Sequence, residues 1–246
     1  MSRSVDAAFD RGARRYDLLV GLNPGYHREL GEAAAALAER VRARRRDVSH
    51  PVRVIDLACG SGASTQALAR ELPEAEIVGL DASRGMLAQA QTKAWPARIN
   101  FRHAVSGDLD LDELGRGTRD GVFTAYLFRN VPIGIRDHAV REVHDLLAPG
   151  GWLVVQEYSV AGRPAARWVW SAVSWLVIIP LGILLDRNPG LYRYLWRSVL
   201  DFDSTTRFMD RLAAAGFTDV ARRTATGWQR GILHTFIARR PETAST

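Results

Sequence analysis

Cysteine is almost absent from this 246-residue chain. Cys59 stands alone, which excludes an internal disulfide framework and a cysteine-based zinc site. Lysine is equally scarce: of the 33 basic residues all but Lys93 are arginines, so guanidinium groups carry the net charge of +6. The six histidines are scattered without partner carboxylates at ligand spacing, and no metal is expected. Met1 to Arg15 is charged and lacks the apolar core of a signal peptide, so a cytoplasmic protein is expected. The densest basic run, Arg40 to Arg46, lies at the tail of an alanine-rich helix, where cations complement the negative dipole end. It has no interleaved aromatics, and no nucleic-acid partner is expected. With no internal repeat and no linker, residues 1–246 read as a single domain.

What is present is an alternation. Residues 6–46 read as helical with a break at Gly21 to Gly25, an N-terminal cap over residues 1–48. Short apolar strands are predicted at Val52–Leu57, Ile77–Leu80, Asn100–Val105, Gly121–Leu127 and Trp152–Glu157. Helices at Thr65–Leu72, Ala82–Ala94 and Ile135–Leu147 fall between them. A helical insertion spans residues 159–200. A helix from Thr205 follows, and then Phe217–Arg222 and Ile232–Ala238, close enough to pair as an antiparallel unit. The fold class is α/β: a doubly wound, mostly parallel seven-stranded sheet of Rossmann-like type with a helical cap and a helical insertion after the fifth strand.

The first strand runs into Asp56-Leu57-Ala58-Cys59-Gly60-Ser61-Gly62. Gly60 and Gly62 allow a sharp turn and close approach of a ligand at the carboxyl end of a strand, where open α/β sheets bind. The next strand ends in Asp81, placed to take both hydroxyls of a ribose. A dinucleotide fingerprint needs a third glycine three positions after the second, and Thr65 stands there. S-adenosylmethionine has no pyrophosphate to cradle. It carries a cationic sulfonium and an amino acid moiety, for which the acid Asp56 beside the turn is useful. The pattern favours that methyl donor as cofactor.

At these residues the chain resembles the class I S-adenosylmethionine-dependent methyltransferases, and specifically the ubiquinone/menaquinone-biosynthesis C-methyltransferases, over roughly Phe9 to Phe217. The glycine turn matches their first motif, Gly79 to Ser83 with Met86-Leu87 the second, and Leu147 to Gly151 the post-sheet turn. Three stretches are more specific to the family: Phe9-Asp10 with Tyr16-Asp17 and His27-Arg28, then Phe128-Arg129-Asn130-Val131, then Tyr192 to Leu195 with Ser198-Val199. The resemblance implies donor contacts at Tyr16, Asp56, Ala58, Gly60, Gly62, Asp81, Ala82 and Met86. It implies an adenine grip by Asp108 and the backbone of Leu109. For Tyr16 two readings stay open, a lid on the donor or packing of the N-terminal helix.

Methyl transfer from a sulfonium is an in-line displacement, so the protein must align the acceptor, exclude water and help it lose a proton. A phenolic ring becomes nucleophilic on ionisation, and a fixed cation favours that form. Arg129, just past the fourth strand, is the candidate; guanidinium does not deprotonate, so its expected role is electrostatic. Asn130 would orient it or the acceptor, and His27 is the candidate proton acceptor. Glu157 either lines the pocket or caps the following helix. The acceptor stays open between a prenyl quinone precursor methylated on carbon and another hydrophobic molecule of specialised metabolism. A catalytically silent membrane-associated module is the alternative outside the enzymes.

Trp168 to Leu185 contains no charge. A single span would strand the final two strands across the membrane from their sheet, and Pro180 and Gly182 interrupt it. The readings that remain are a lid over a lipophilic acceptor, a peripheral membrane contact with Trp168, Trp170 and Trp175 near the interface, or a buried or homodimer helix.

Overall fold

The computed structural model describes residues 25–44, 50–186 and 189–242. Along the chain run α1 (Tyr26–Arg44), β1 (Arg53–Leu57), α2 (Ala63–Glu71), β2 (Glu76–Asp81), α3 (Arg84–Gln91), β3 (Ile99–His103), β4 (Arg119–Ala125), α4 (Ile133–Leu146) and β5 (Leu147–Tyr158). After them come α5 (Pro164–Val173), α6 (Ile179–Asp186), α7 (Pro189–Leu200), α8 (Thr205–Ala214), β6 (Thr218–Thr224) and β7 (Leu233–Arg239). The seven strands form one sheet in the order β3-β2-β1-β4-β5-β7-β6. β1 to β5 are parallel, and β7 runs antiparallel to both β5 and β6.

The central strands are apolar on both faces, as a sheet covered twice requires. Val54, Phe123, Val154 and Ile237 point toward α1 and α2. Ile55, Val122, Leu153 and Phe236 point the other way, toward α4 and α8. The alanines of α1 let it lie close on the sheet, where Leu37 and Val41 crowd the space above Gly121. The Gln156 side-chain amide donates to the carbonyl of Glu29, 2.8 Å away, and ties β5 to the same helix. The chain leaves β1 toward β2 and β3, then returns to place β4 on the other flank of β1. The crevice at the carboxyl ends of β1 and β4 is therefore the topological switch point.

Three departures from the sequence reading have a local cause in the structure. α3 stops at Gln91 rather than Ala94, because the Trp95 indole folds back and donates to the Ala90 carbonyl at 2.8 Å. β5 begins at Leu147, ahead of Pro149-Gly150-Gly151. Gly150 at φ +76° and a register shift between Arg119 and Gly121 of β4 absorb the turn within the strand. Within the insertion, α5 and α6 are joined by a π-helical turn, Ser174–Ile178. The turn ends two residues before Pro180, which has no N–H to continue the ladder. The joined helix packs against α7: Trp170 Nε1 donates to the Trp196 carbonyl, and Trp196 Nε1 to Ser171 Oγ, both at 3.2 Å.

Candidate active site

A cavity of about 670 Å³, counting the solvent at its mouth, opens at the switch point. Its walls come from the end of β1, the end of β2 with the start of α3, and the turn after β4. Ala58 and Tyr126 close β1 and β4, and each is a non-glycine residue at φ 63°. Side chains rarely adopt this region, and both residues line the cavity, so backbone strain is concentrated at its rim. Gly60, at φ 55°, carries the turn between them and α2. A Cβ on Gly62 would lie 2.8 Å from the Trp95 ring, so that glycine serves the packing behind the turn. The only lysine, Lys93, holds the turn from below with a 2.8 Å bond to the Ser61 carbonyl.

Asp81 is the oriented acid of this cavity. Its Oδ2 accepts from the Gly60 N–H and its Oδ1 from the Ser83 N–H, each at 2.8 Å. These bonds fix a carboxylate in the cavity wall beside the turn, the place from which an acid can take a pair of ribose hydroxyls. Asp56 does different work. It is fully buried beneath the turn, where Oδ2 accepts from Ser64 Oγ at 2.7 Å and Thr65 Oγ1 at 2.6 Å. Burial raises its pKa to about 7, against the pull of those two hydroxyls and with a smaller push from Asp81. Asp56 is not in the cavity wall; it supports the first turn of α2, and the sequence reading of it as a direct donor contact becomes a supporting role.

Arg129 and Asn130 form the opposite wall. Arg129 Nη1 lies 2.5 Å from Glu157 Oε1, and both side chains are nearly or fully buried. The guanidinium also covers the Tyr126 and Tyr158 rings at 5.2 and 5.6 Å. Glu157 thus neither caps a helix nor lines the cavity; it holds the arginine that does. Asn130 donates from Nδ2 to the Tyr126 carbonyl at 2.8 Å and accepts from the Tyr194 hydroxyl at 3.1 Å, which links the cavity wall to α7. A column of aromatic rings, Tyr26, Tyr126, Tyr158 and Trp170, runs from α1 past the cavity to α5, with centroids 5.1 to 5.8 Å apart.

Of the residues singled out in sequence, Ala58, Gly60, Asp81, Ala82, Met86, Arg129 and Asn130 line this one cavity. Asp108 is exposed, and the Leu109 N–H is taken by Glu142 Oε1 at 2.9 Å, so the cavity wall at this loop is Ser106 instead. His27 is exposed, edge-on to Tyr26, and is not part of the wall. Tyr16 lies outside the described residues. Sequence reasoning gave no role to Tyr126, Tyr158, Ser106 or Tyr194. Two of them left a signal: Tyr126 in its place between the end of a strand and the Phe128-Arg129-Asn130 stretch, and Tyr194 within the family-specific stretch Tyr192 to Leu195.

A family model described as the ubiE/COQ5 methyltransferase family matches residues 2–238. Among curated relatives, the ubiquinone/menaquinone biosynthesis C-methyltransferase UbiE of Methylobacterium nodulans is 31% identical over 228 residues, covering 91% of this chain and 86% of that one. The demethylmenaquinone methyltransferase of Thermus thermophilus is 34% identical over 215 residues, covering 85% and 91%. Among solved structures, the CurJ carbon methyltransferase superposes with a TM-score of 0.61 at 16% identity, over 85% of this chain and 54% of that one, a likeness of fold.

Proposed function

The chain belongs to the ubiE/COQ5 methyltransferase family and is a methyltransferase, and from that premise we propose that its cavity holds S-adenosylmethionine and that it methylates a ring carbon of a prenyl quinone precursor. The observation that carries this reading is the pairing, within one cavity, of a backbone-oriented acid, Asp81, with a cationic wall, Arg129. Asp81 would take the donor's ribose hydroxyls. Ala58 and Gly60 would let backbone approach its amino acid end, and Ala82 and Met86 would flank its nucleoside. When bound, the donor supplies an electrophilic methyl group on a sulfonium.

The protein's part is to make the acceptor ring electron-rich and to hold it still. Hydroquinone hydroxyls ionise with pKa values near ~10 by analogy with tyrosine, and a cation beside one favours the phenolate. Arg129 supplies that cation from a fixed position, because Glu157 and two tyrosine faces hold it. Asn130 presents an amide to the same region and is itself fixed by Tyr194. The aromatic column offers a stacking surface for a ring and leads toward the apolar insertion, where an isoprenoid tail would run. His27 is outside the wall and is given no step. The enzyme is read as working from the cytoplasmic side on an acceptor that resides in the membrane.

The test is incubation of the full chain with labelled donor and a demethylated prenyl hydroquinone, with the product identified by mass spectrometry. A single methyl retained on ring carbon is expected. Methylation on oxygen, or turnover confined to other hydrophobic phenols, would replace the quinone reading by the specialised-metabolism alternative.

A further inference from the structure

The insertion carries a surface the methyltransferase site does not use. The apolar helix runs without a break from Pro164 to Leu185 and is mostly exposed, so the reading of it as a buried core helix fails. Trp170, Ser174, Ile179 and Gly182 are buried on the side that faces α7, and the π-helical turn keeps the two halves of that side in phase. The opposite side presents Trp168, Ala172, Leu176, Pro180 and Leu184, every one exposed, at four-residue steps. Trp168, Leu176 and Leu184 are 78%, 77% and 75% exposed. Trp175, Val177 and Ile183 widen the stripe. Monomeric proteins rarely leave a contiguous apolar surface of this kind open to water. Trp170 is a correction: at 5% exposure its ring belongs to the column over the cavity and cannot meet a membrane.

We infer that this stripe is a docking face for an anionic lipid bilayer, with the helix lying in the plane of the interface and not crossing it. The packed side and the open side of one helix set that orientation: α7 covers one flank from Trp170 to Gly182, so a span would pull α7 and its polar contacts into hydrocarbon. Charge selects the lipid. Arg163 and Arg167 are exposed at the amino end of the helix and have no acidic partner among the described residues. Cations at a helix amino end oppose the macrodipole, so helix stability does not account for them. Anionic headgroups do, and the chain's net charge of +6 adds long-range attraction. A second copy would bring the same charge and the same arginines. Tryptophan, exposed at two places on the face, is the side chain suited to the headgroup boundary. Docked this way, the helix lies between the bilayer and the Trp170 end of the aromatic column, and brings the cavity near the phase in which a lipophilic acceptor is dissolved; this consequence alone rests on the acceptor reading.

The experiment is flotation of the full chain with phosphatidylcholine vesicles, with and without phosphatidylglycerol, in low and high salt. The wild type is expected to float with the anionic vesicles, less in high salt and less with phosphatidylcholine alone. The variant W168S/L176S/L184S alters only exposed side chains. It should keep its circular dichroism and its affinity for donor while binding vesicles more than about tenfold more weakly. R163Q/R167Q should weaken the preference for anionic lipid and keep the apolar part of the binding. Turnover of a short-chain, water-soluble quinol should be unchanged in both variants. A wild type that stays with the free protein in every vesicle mixture, or a triple variant that floats like wild type, would overturn the inference. So would a wild-type dimer that the triple variant breaks with no change in flotation, which would assign the face to a second copy. Absence of turnover on any quinol by a wild type that floats would remove the acceptor reading and leave the docking face standing.

Discussion

Arg129 and Glu157 meet at 2.5 Å across the ends of adjacent strands, with the carboxylate fully buried and the guanidinium exposed only toward the cavity. Glu157 Oε1 also accepts from the Tyr158 N–H at 3.0 Å. The pair places a cation in the cavity without leaving it mobile, and its energetics make a single substitution misleading. Removing one partner of a buried pair strands the other charge, at a cost of about 3–5 kcal/mol.

Arg129→Ala should therefore lose turnover and stability together. R129M/E157Q removes both charges and should recover most of the stability with no recovery of turnover. Thermal unfolding and single-turnover rates at saturating donor separate the two effects. If the double variant turns over normally, the cation has no part in the chemistry.

Asp81→Ala should weaken donor binding by about 1.5–3 kcal/mol for each charge-assisted bond lost. It also frees the Gly60 and Ser83 amides that the carboxylate now orders. Asp81→Asn keeps an acceptor for one amide and should fall between alanine and wild type. Calorimetric titration with S-adenosylmethionine measures the series, and equal affinities across it would remove Asp81 from the site.

How much of this was readable in advance depends on whether the determining contact is local. Asp81 and Gly60 were legible because a strand end, a tight turn and an acid on the neighbouring strand are all written in sequence order. The mostly parallel sheet follows from the same alternation. The ion pair of Arg129 was not legible, since it exists only because β4 and β5 pair in the register Ala125 with Gln156, which sets Glu157 beside Tyr126 and its turn. Asp56 shows the opposite limit: an acid at a strand end faces the ligand or the helix beneath according to packing, and here Ser64 and Thr65 claim it. Trp168 and Trp170 are two positions apart and differ completely in burial, a phase that composition of the apolar run does not fix.

Tyr194→Phe deletes the hydroxyl that holds Asn130 Oδ1 and leaves the ring in place. Donor affinity should be unaltered. The acceptor KM should rise several-fold, because a neutral hydrogen bond between α7 and a cavity wall is worth about 1 kcal/mol. Steady-state kinetics with varied acceptor, beside a donor titration, decides it. A change in donor affinity alone would place α7 on the wrong side of the site.

Two buried groups contribute to the response of stability to pH in opposite directions. Burial holds the Asp56 carboxyl at about 7, above its ordinary 3.8. The folded state keeps a proton that the unfolded chain has released, so this contribution is full in acid and is lost as pH rises from about 4 to about 7. Burial, with Arg222 and Arg163 nearby, holds His234 at about 4, below its ordinary 6.5. Here the unfolded chain binds the extra proton, so stability is full above 6.5 and is lost as pH falls toward 4. Each slope approaches about 1.4 kcal/mol per pH unit, and over the shared window they cancel. Wild type should show little dependence from these groups between pH 4.5 and 6.5. Asp56→Asn removes one side of the balance and should lose up to about 3 kcal/mol on going to the acid end. His234→Gln removes the other and should gain by a similar amount in the same direction. Denaturant unfolding of the three proteins at both ends of the window gives the differences directly. An Asp56→Asn profile as flat as wild type would mean that Asp56 is ionised in the folded protein, with Ser64 and Thr65 stabilising its charge against the cost of burial.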